Sequence, residues 1–283
     1  MTTTITTTNS TLESGSLFSV AGKTALVTGG SSGLGLIMAE ALLRGGARVI
    51  IASRKQARCD EALALLSGFG DCSAFAADVT LARDREALVR FVTATVAGTG
   101  LSILVNNAGA NWGAAIADYP DEAFAKVMNT NVNAVFALTR DLLPALQQAA
   151  SAQDPARVVN IGSMDGLHVP IVQRVPTFAY SASKAALHHL TRTLAVDLGP
   201  RHITVNAIAP GFFKSRMTDY VLREFGQDIA ADSPMGRAGE PEEIAGALLY
   251  LVSRAGNYTN GIVLPVDGGT HISKGHRPWM DEA

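Results

Sequence analysis

Lys23-Thr-Ala-Leu-Val-Thr28, followed at once by Gly29-Gly30-Ser31-Ser32-Gly33-Leu34-Gly35 and then by Leu36-Ile-Met-Ala-Glu-Ala-Leu-Leu-Arg44, reads as strand, glycine turn and helix. The first run is apolar and β-branched, and the last carries a helical pattern. Glycines let the backbone turn tightly and come close to a ligand. The N–H groups and positive dipole end of the following helix then meet an anion. Ala47-Arg-Val-Ile-Ile-Ala52 supplies a second strand, which is the context in which such a loop binds a dinucleotide pyrophosphate. Gly29, Ser31, Ser32, Gly33 and Leu34 are the residues expected at the phosphates.

The same alternation continues outward. Strands are expected near 24–28, 47–52, 73–77, 101–105, 156–162, 202–208 and 261–266, with long helical patterns around 81–97, 121–149 and 181–198. Alternating elements of this kind mean β-α-β crossovers. The fold class is α/β, a single Rossmann-type doubly wound sheet of about seven parallel strands with helices on both faces. Runs such as Val49-Ile50-Ile51 and Ile103-Leu104-Val105 are apolar throughout, as strands covered on both faces should be. The expected organisation is a disordered polar N-terminal tail over 1–19, one domain over 20–271 and a C-terminal tail over 272–283. Two stretches break the rhythm, 164–179 and 212–238, the second rich in apolar residues. Both follow strand C-termini, where open α/β sheets bind ligands, so they are expected to wall and cover a substrate pocket.

Composition excludes several classes. A net charge of −2 argues against a nucleic-acid or anionic-membrane partner held by bulk electrostatics. No apolar run is long enough to span a bilayer. The Thr-rich start lacks the basic and apolar regions of a secretory signal. Cys59 and Cys72 cannot make a disulfide framework, and no Cys, His and carboxylate cluster has metal-ligand spacing. A cytoplasmic location and no metal are expected.

Tyr180-Ser-Ala-Ser-Lys184 opens a helical segment, so Tyr180 and Lys184 share one face. An ammonium beside a phenol is expected to lower its pKa from about 10 towards the range useful for proton exchange. Upstream, Arg157-Val-Val-Asn-Ile-Gly-Ser163 looks like a buried strand ending in a hydroxyl. At the end of the second strand, NAD sites usually place an acid for the ribose 2′-hydroxyl. Here stand Ser53-Arg54-Lys55, with no acid between Gly46 and Cys59. Arg54 is best placed to hold a 2′-phosphate through its planar fork, so NADP(H) is the expected cofactor.

With these residues assembled, the chain resembles the short-chain dehydrogenases/reductases over roughly residues 20 to 270. The resemblance rests on Thr28-Gly29-x-x-x-Gly33-x-Gly35, Asp78-Val79, Asn106-Asn107-Ala108-Gly109, Asn131, Ser163, Tyr180-x-x-x-Lys184, Pro210-Gly211 and Val266-Asp267-Gly268-Gly269, in that order. Within the family it looks most like NADPH-dependent 3-oxoacyl reductases, including rhamnolipid-type and secondary-metabolite ketoreductases. Gly162 stands where many members have serine, Ser215 where threonine is common, and the Ser163 to Tyr180 interval is longer than usual.

The resemblance implies a catalytic set of Asn131, Ser163, Tyr180 and Lys184, with Tyr180 as general acid and Asn131 positioning a water that links Lys184 to solvent. It implies cofactor contacts from Asp78, Val79, Asn106, Ala108, Gly109, Pro210, Gly211, Phe213 and Ser215, and a homotetramer or homodimer. Trp112, Met164, His168, Phe212 and Met217 are the expected pocket wall, joined by Val169, Ile171, Phe178 and Val221. Such a wall suits a small hydrophobic ketone or alcohol, as a 3-oxoacyl chain or a polyketide- or terpenoid-like metabolite. An alcohol dehydrogenase working oxidatively and a non-catalytic dinucleotide-binding scaffold are the alternatives. Ser181-Ala-Ser-Lys184 also satisfies a Ser-x-x-Lys pattern, but the companion elements of penicillin-binding enzymes are missing.

Overall fold

The computed structural model describes residues 13–170, 176–214 and 219–275. Among them, seven parallel strands form one sheet in the order β3-β2-β1-β4-β5-β6-β7. They are β1 (Thr24–Thr28), β2 (Arg48–Ser53), β3 (Cys72–Ala76), β4 (Ile103–Asn106), β5 (Ala156–Ile161), β6 (Ile203–Pro210) and β7 (Val263–Val266). The helices are α1 (Ser14–Leu17), α2 (Gly33–Arg44), α3 (Gln56–Leu66), α4 (Ala82–Thr95), α5 (Asp121–Met128), α6 (Ala134–Asp141), α7 (Leu143–Ala149), α8 (Phe178–Leu198), α9 (Asp219–Asp232) and α10 (Pro241–Val252). Strand order reverses between β1 and β4, so the crevice at their C-terminal ends is the switch point where such folds bind ligands.

Side-chain alternation along the strands divides the core in two. Val27, Val49, Ile51, Ile103, Val105 and Val159 face Met38 and Leu42 of α2 and Ile244 and Leu248 of α10. Leu26, Ile50, Leu104, Val158 and Val205 face Leu88 and Val92 of α4, Leu138 of α6 and Ala195 of α8. All of these but Ala195 and Leu138 are fully buried, and those two nearly so. Burial of this kind contributes roughly 1.5–3 kcal/mol per large aliphatic side chain and is the main term holding the layers.

Three expectations are corrected. The pattern over 121–149 is not one helix: α5 passes into a π-helical turn, Asn129–Asn133, then into α6, and α7 starts after Leu142 with Pro144 in its first turn. Proline cannot donate in a helix interior and fits only near a start, so the chain must break there. Ser14–Leu17 forms a helical turn inside the stretch expected to be a disordered tail. Residues 241–252 had no expected element, yet α10 forms there behind a capping box of Glu240 and Glu243 with Pro241 in the first turn. The terminal segments 1–12 and 276–283 lie outside the described residues.

Candidate active site

The loops that leave β1 to β6 converge on one cavity of about 590 Å³. Gly29, Ser31, Ser32, Gly33 and Leu34 line it beside Ser53 and Arg54, Asp78 and Val79, Ala108 and Gly109, and Pro210, Gly211 and Phe213. Gly29 and Gly33 adopt φ of +66° and +54°, which side chains rarely adopt. A Cβ at Gly35 would lie 2.4 Å from the Gly29 carbonyl oxygen, whereas one at Gly33 would meet nothing within 4 Å. The first closeness seats the helix on the loop, and the second leaves open space above the start of α2. No side chain caps that start, so its N–H groups face the cavity unclaimed by a cap. This cradle fits a pyrophosphate.

Thr28 ties the ends of β1 and β4 together. Its hydroxyl donates to the Val105 carbonyl and accepts from the N–H groups of Asn107 and Ala108, both at 3.0 Å. Asn107 returns a side-chain bond to the Thr28 carbonyl at 2.9 Å. Asn107 lines the cavity; Asn106, the residue expected there, does not. The Asn106 side chain is buried on the other side of the sheet, donating to Thr139 Oγ1 and Asn160 Oδ1. Asn160 in turn donates to Thr191 of α8.

At the end of β2, Ser31 donates to Ser53 at 2.8 Å, and exposed Arg54 lines the cavity. Lys55 and Arg58 do not line it, and Arg58 pairs with Glu61 at 3.0 Å. Asp78 accepts from both the backbone N–H and the hydroxyl of Thr80.

Ser163, Tyr180 and Lys184 all face the cavity. The two α8 residues share a face because they are one turn apart, and Ser163, two residues past the end of β5, faces the same cavity. Ser163 Oγ accepts from the Asp165 N–H at 3.1 Å and is hydrogen-bonded to the Tyr180 phenol. Lys184 is buried; its Nζ donates to the Ile161 carbonyl at 2.7 Å and stands 5.4 Å from the Tyr180 ring centre. The expected lowering of the phenol is not what the structure gives. Burial pushes Tyr180 up to about 12, outweighing the Ser163 bond, while the Asp165 charge raises it further. Burial also drives Lys184 down to about 8, against the pull of Asp165. Tyr180 therefore holds its proton at neutral pH.

Asn131 sits in the π-helical turn, buried, and exchanges two hydrogen bonds with the Ala110 backbone at 2.8 and 2.9 Å. Its amide also donates to Ser183 of α8 at 2.9 Å. It braces the β4 loop against α8. Gly109 borders the same corner: a Cβ there would make ordinary contacts, 3.4 Å from Asn131 Oδ1 and 3.9 Å from Lys184 Nζ.

The expected substrate wall is partly corrected. Met164 and Phe212 line the cavity. Trp112 does not and is 45% exposed, His168 turns its Nδ1 to the Met164 carbonyl, and Val169 is 81% exposed. Phe178 packs edge-on against Tyr119 at 5.8 Å. Ser215, Met217, Ile171 and the side chain of Val221 lie outside the described residues. The sequence reading missed Asp165, Lys126, Asn129, Thr130 and Thr177, which also line the cavity. Asp165 and Thr177 could have been found, since both lie in the stretch 164–179 expected to wall the pocket.

A family model described as "Enoyl-(Acyl carrier protein) reductase" matches residues 29–271. The chain belongs to the short-chain dehydrogenase/reductase family. As a member of that family it is an oxidoreductase. It is 47% identical over 258 residues to the rhamnolipids biosynthesis 3-oxoacyl-[acyl-carrier-protein] reductase of Pseudomonas aeruginosa, covering 90% of this chain and 98% of that one. A galactitol 2-dehydrogenase (L-tagatose-forming) of Cereibacter sphaeroides is 39% identical, over 89% and 96% of the two chains. Among solved structures, the Pseudomonas aeruginosa RhlG/NADP active-site complex superposes with a TM-score of 0.86 at 46% identity, covering 90% of this chain and 99% of that one.

Proposed function

We propose that this short-chain dehydrogenase/reductase is an NADPH-dependent reductase of a ketone on a hydrophobic substrate. The carrying observation is a protonated, buried Tyr180 bonded to Ser163 in the wall of the cavity that holds the glycine cradle. When bound, NADPH supplies the hydride. As the ketone oxygen gains charge, Tyr180 donates its proton to it and Ser163 hydrogen-bonds it, so the products are an alcohol and NADP+. Lys184, charged below about pH 8, offers its ammonium to the nicotinamide ribose and to the phenolate left behind. Asn131, besides bracing the loop, is assigned the water that reprotonates this pair. Arg54 at the rim, with no acid at the end of β2, favours the 2′-phosphate of NADPH.

Met164, Phe212 and Phe213 suit a hydrocarbon better than a sugar, whose unpaired hydroxyls would each cost about 1–3 kcal/mol. The 3-oxoacyl reductase relative supports that choice, and the polyol dehydrogenase relative favours a second reading, alcohol oxidation. The two readings share one site, since the Tyr180 that donates in reduction would accept in oxidation, and the cofactor ratio sets the direction. A non-catalytic scaffold would have no use for the four assembled groups.

Among the described residues no helix is long and apolar enough to cross a membrane. Exposed Phe124, Phe136 and Val196 on α5, α6 and α8 support a homotetramer or homodimer, which a monomer by light scattering would overturn. The functional test follows NADPH absorbance against ketones of graded size and polarity, beside NADH and beside polyols with NADP+. Tyr180→Phe should still bind NADPH while reduction falls by about 10²–10⁴. Unchanged turnover in that variant, or polyols far ahead of apolar ketones in kcat/KM, would refute the reading.

A further inference from the structure

Among the described residues two carboxylates, Asp78 and Asp165, line the cavity, and their situations differ. Asp78 is satisfied, its Oδ1 accepting from the N–H and hydroxyl of Thr80. Asp165 uses its backbone alone. Its N–H donates to Ser163 Oγ at 3.1 Å, and its carbonyl accepts from Ser181 Oγ at 2.8 Å, so the residue is clamped between the serine loop and the helix that carries Tyr180. Among the described residues no group donates a hydrogen bond to its carboxylate. Burial raises its pKa, with only the more distant charges of His168 and Lys184 acting against this. His168 turns its Nδ1 to the Met164 carbonyl. Asp165 is half-buried in a wall that also holds Met164, Thr177 and Phe212, and a carboxylate whose water is displaced by a bound substrate is left at a cost unless that substrate donates to it.

We propose that Asp165 is a specificity residue, accepting a hydrogen bond from a hydroxyl or ammonium group that the ketone substrate carries close to its carbonyl. This rests on the reductase reading above and narrows it: the substrate is a hydrophobic ketone with one donor, not a plain hydrocarbon ketone. The clamp explains why the acceptor is fixed. Ser163 and Asp165 are joined through one hydrogen bond, so the group that holds the ketone oxygen and the group that holds the donor are set on one short loop. A ketone lacking the donor would leave the carboxylate unpaired beside apolar surface, and sites built to bond a polar group reject analogues without it.

The test uses three matched ketones, acetophenone, α-hydroxyacetophenone and α-aminoacetophenone as its ammonium, with the unaltered enzyme, Asp165→Ala and Asp165→Asn. The readout is the ratio of kcat/KM for each donor-bearing ketone to that for acetophenone, which cancels any common loss from folding or cofactor binding. In the unaltered enzyme the ratio should be about 10 to 100, the fold-change of one hydrogen bond to a charged group. In Asp165→Ala it should fall to about 1. Asp165→Asn should keep part of the preference for hydroxyl and lose that for ammonium, which separates the two donors. A ratio near 1 in the unaltered enzyme, or one that survives Asp165→Ala, overturns the proposal. Should the unaltered protein reduce none of the three, the reductase reading fails and Asp165 is judged on binding. Calorimetric titration of the same ketones into NADP+-loaded protein must then show tighter binding of the donor-bearing pair, lost in Asp165→Ala, and equal affinities refute it.

Discussion

Replacing Gly162 by alanine tests how the serine loop is held. A Cβ built there would lie 2.1 Å from Nε2 and 2.8 Å from Cδ2 of His188, and 3.2 Å from the Ile208 carbonyl oxygen. The ring has nowhere to go. It is 2% exposed, and on its other side stands Gly166, where a Cβ would come within 2.7 Å of His188 Cε1. The Gly166 backbone faces the ring without reaching hydrogen-bond geometry, and neither ring nitrogen has a partner among the described residues. His188 thus fills the space that a side chain at position 162 would take. Overpacking of a tight site costs about 1–3 kcal/mol, and here the strain falls on the residue next to Ser163. Gly162→Ala should lose that much stability in urea unfolding and lose rate of ketone reduction, with NADPH affinity changing less.

His188→Ala removes a ring that makes no hydrogen bond, so its own cost should fall below the about 3–5 kcal/mol typical of deleting a buried aromatic ring. The double variant decides the matter. If the ring is the obstacle, adding Gly162→Ala to His188→Ala should cost less than about 0.5 kcal/mol, a coupling of at least about 0.5 and up to about 2.5 kcal/mol. Strictly additive losses would refute the argument, because the damage would then arise from the backbone or from Ile208.

Three further outcomes are expected. Burial holds His188 down at about 4 against a usual 6.5, so between those values the unfolded chain takes up a proton that the folded one refuses. Stability should therefore fall as pH drops through that window, by at most about 3 kcal/mol at about 1.4 per unit, and His188→Met should flatten the limb in urea midpoints against pH. Lys184, lowered to about 8, loses its charge as pH rises through that value, so kcat/KM for reduction should decline above it. Lys184→Arg should move that decline upward by two units or more, and a decline still centred near 8 would assign it to another group. Arg54→Asp should weaken NADPH binding by about 1.5–3 kcal/mol and improve NADH relative to it, measured as the ratio of their KM values; equal use of both by the unaltered enzyme would sink the argument.

The sequence alone determined the parallel sheet, because each strand is a short apolar run and each crossover begins or ends in glycine or polar residues with fixed local meaning. It also placed Ser163, Tyr180 and Lys184 together, since helical spacing puts the last two on one face and the end of β5 has one place to go in a doubly wound fold. Local pattern could not decide what depends on depth. Asn106 and Asn107 are the same residue type side by side, and only the pairing of β4 between β1 and β5 sends one behind the sheet and the other into the cavity. The π-helical turn that presents Asn131 is held against α8 by the bond to Ser183, a contact between elements distant in sequence. Proton affinities went the same way. Spacing predicts that Lys184 acidifies Tyr180, but both groups are buried, and the loss of water around a charge outweighs a neighbour 5.4 Å from the ring centre. Desolvation is a property of the whole packed molecule, which is why the sequence could single out Tyr180 and only the tertiary structure could set the protonation state in which it stands.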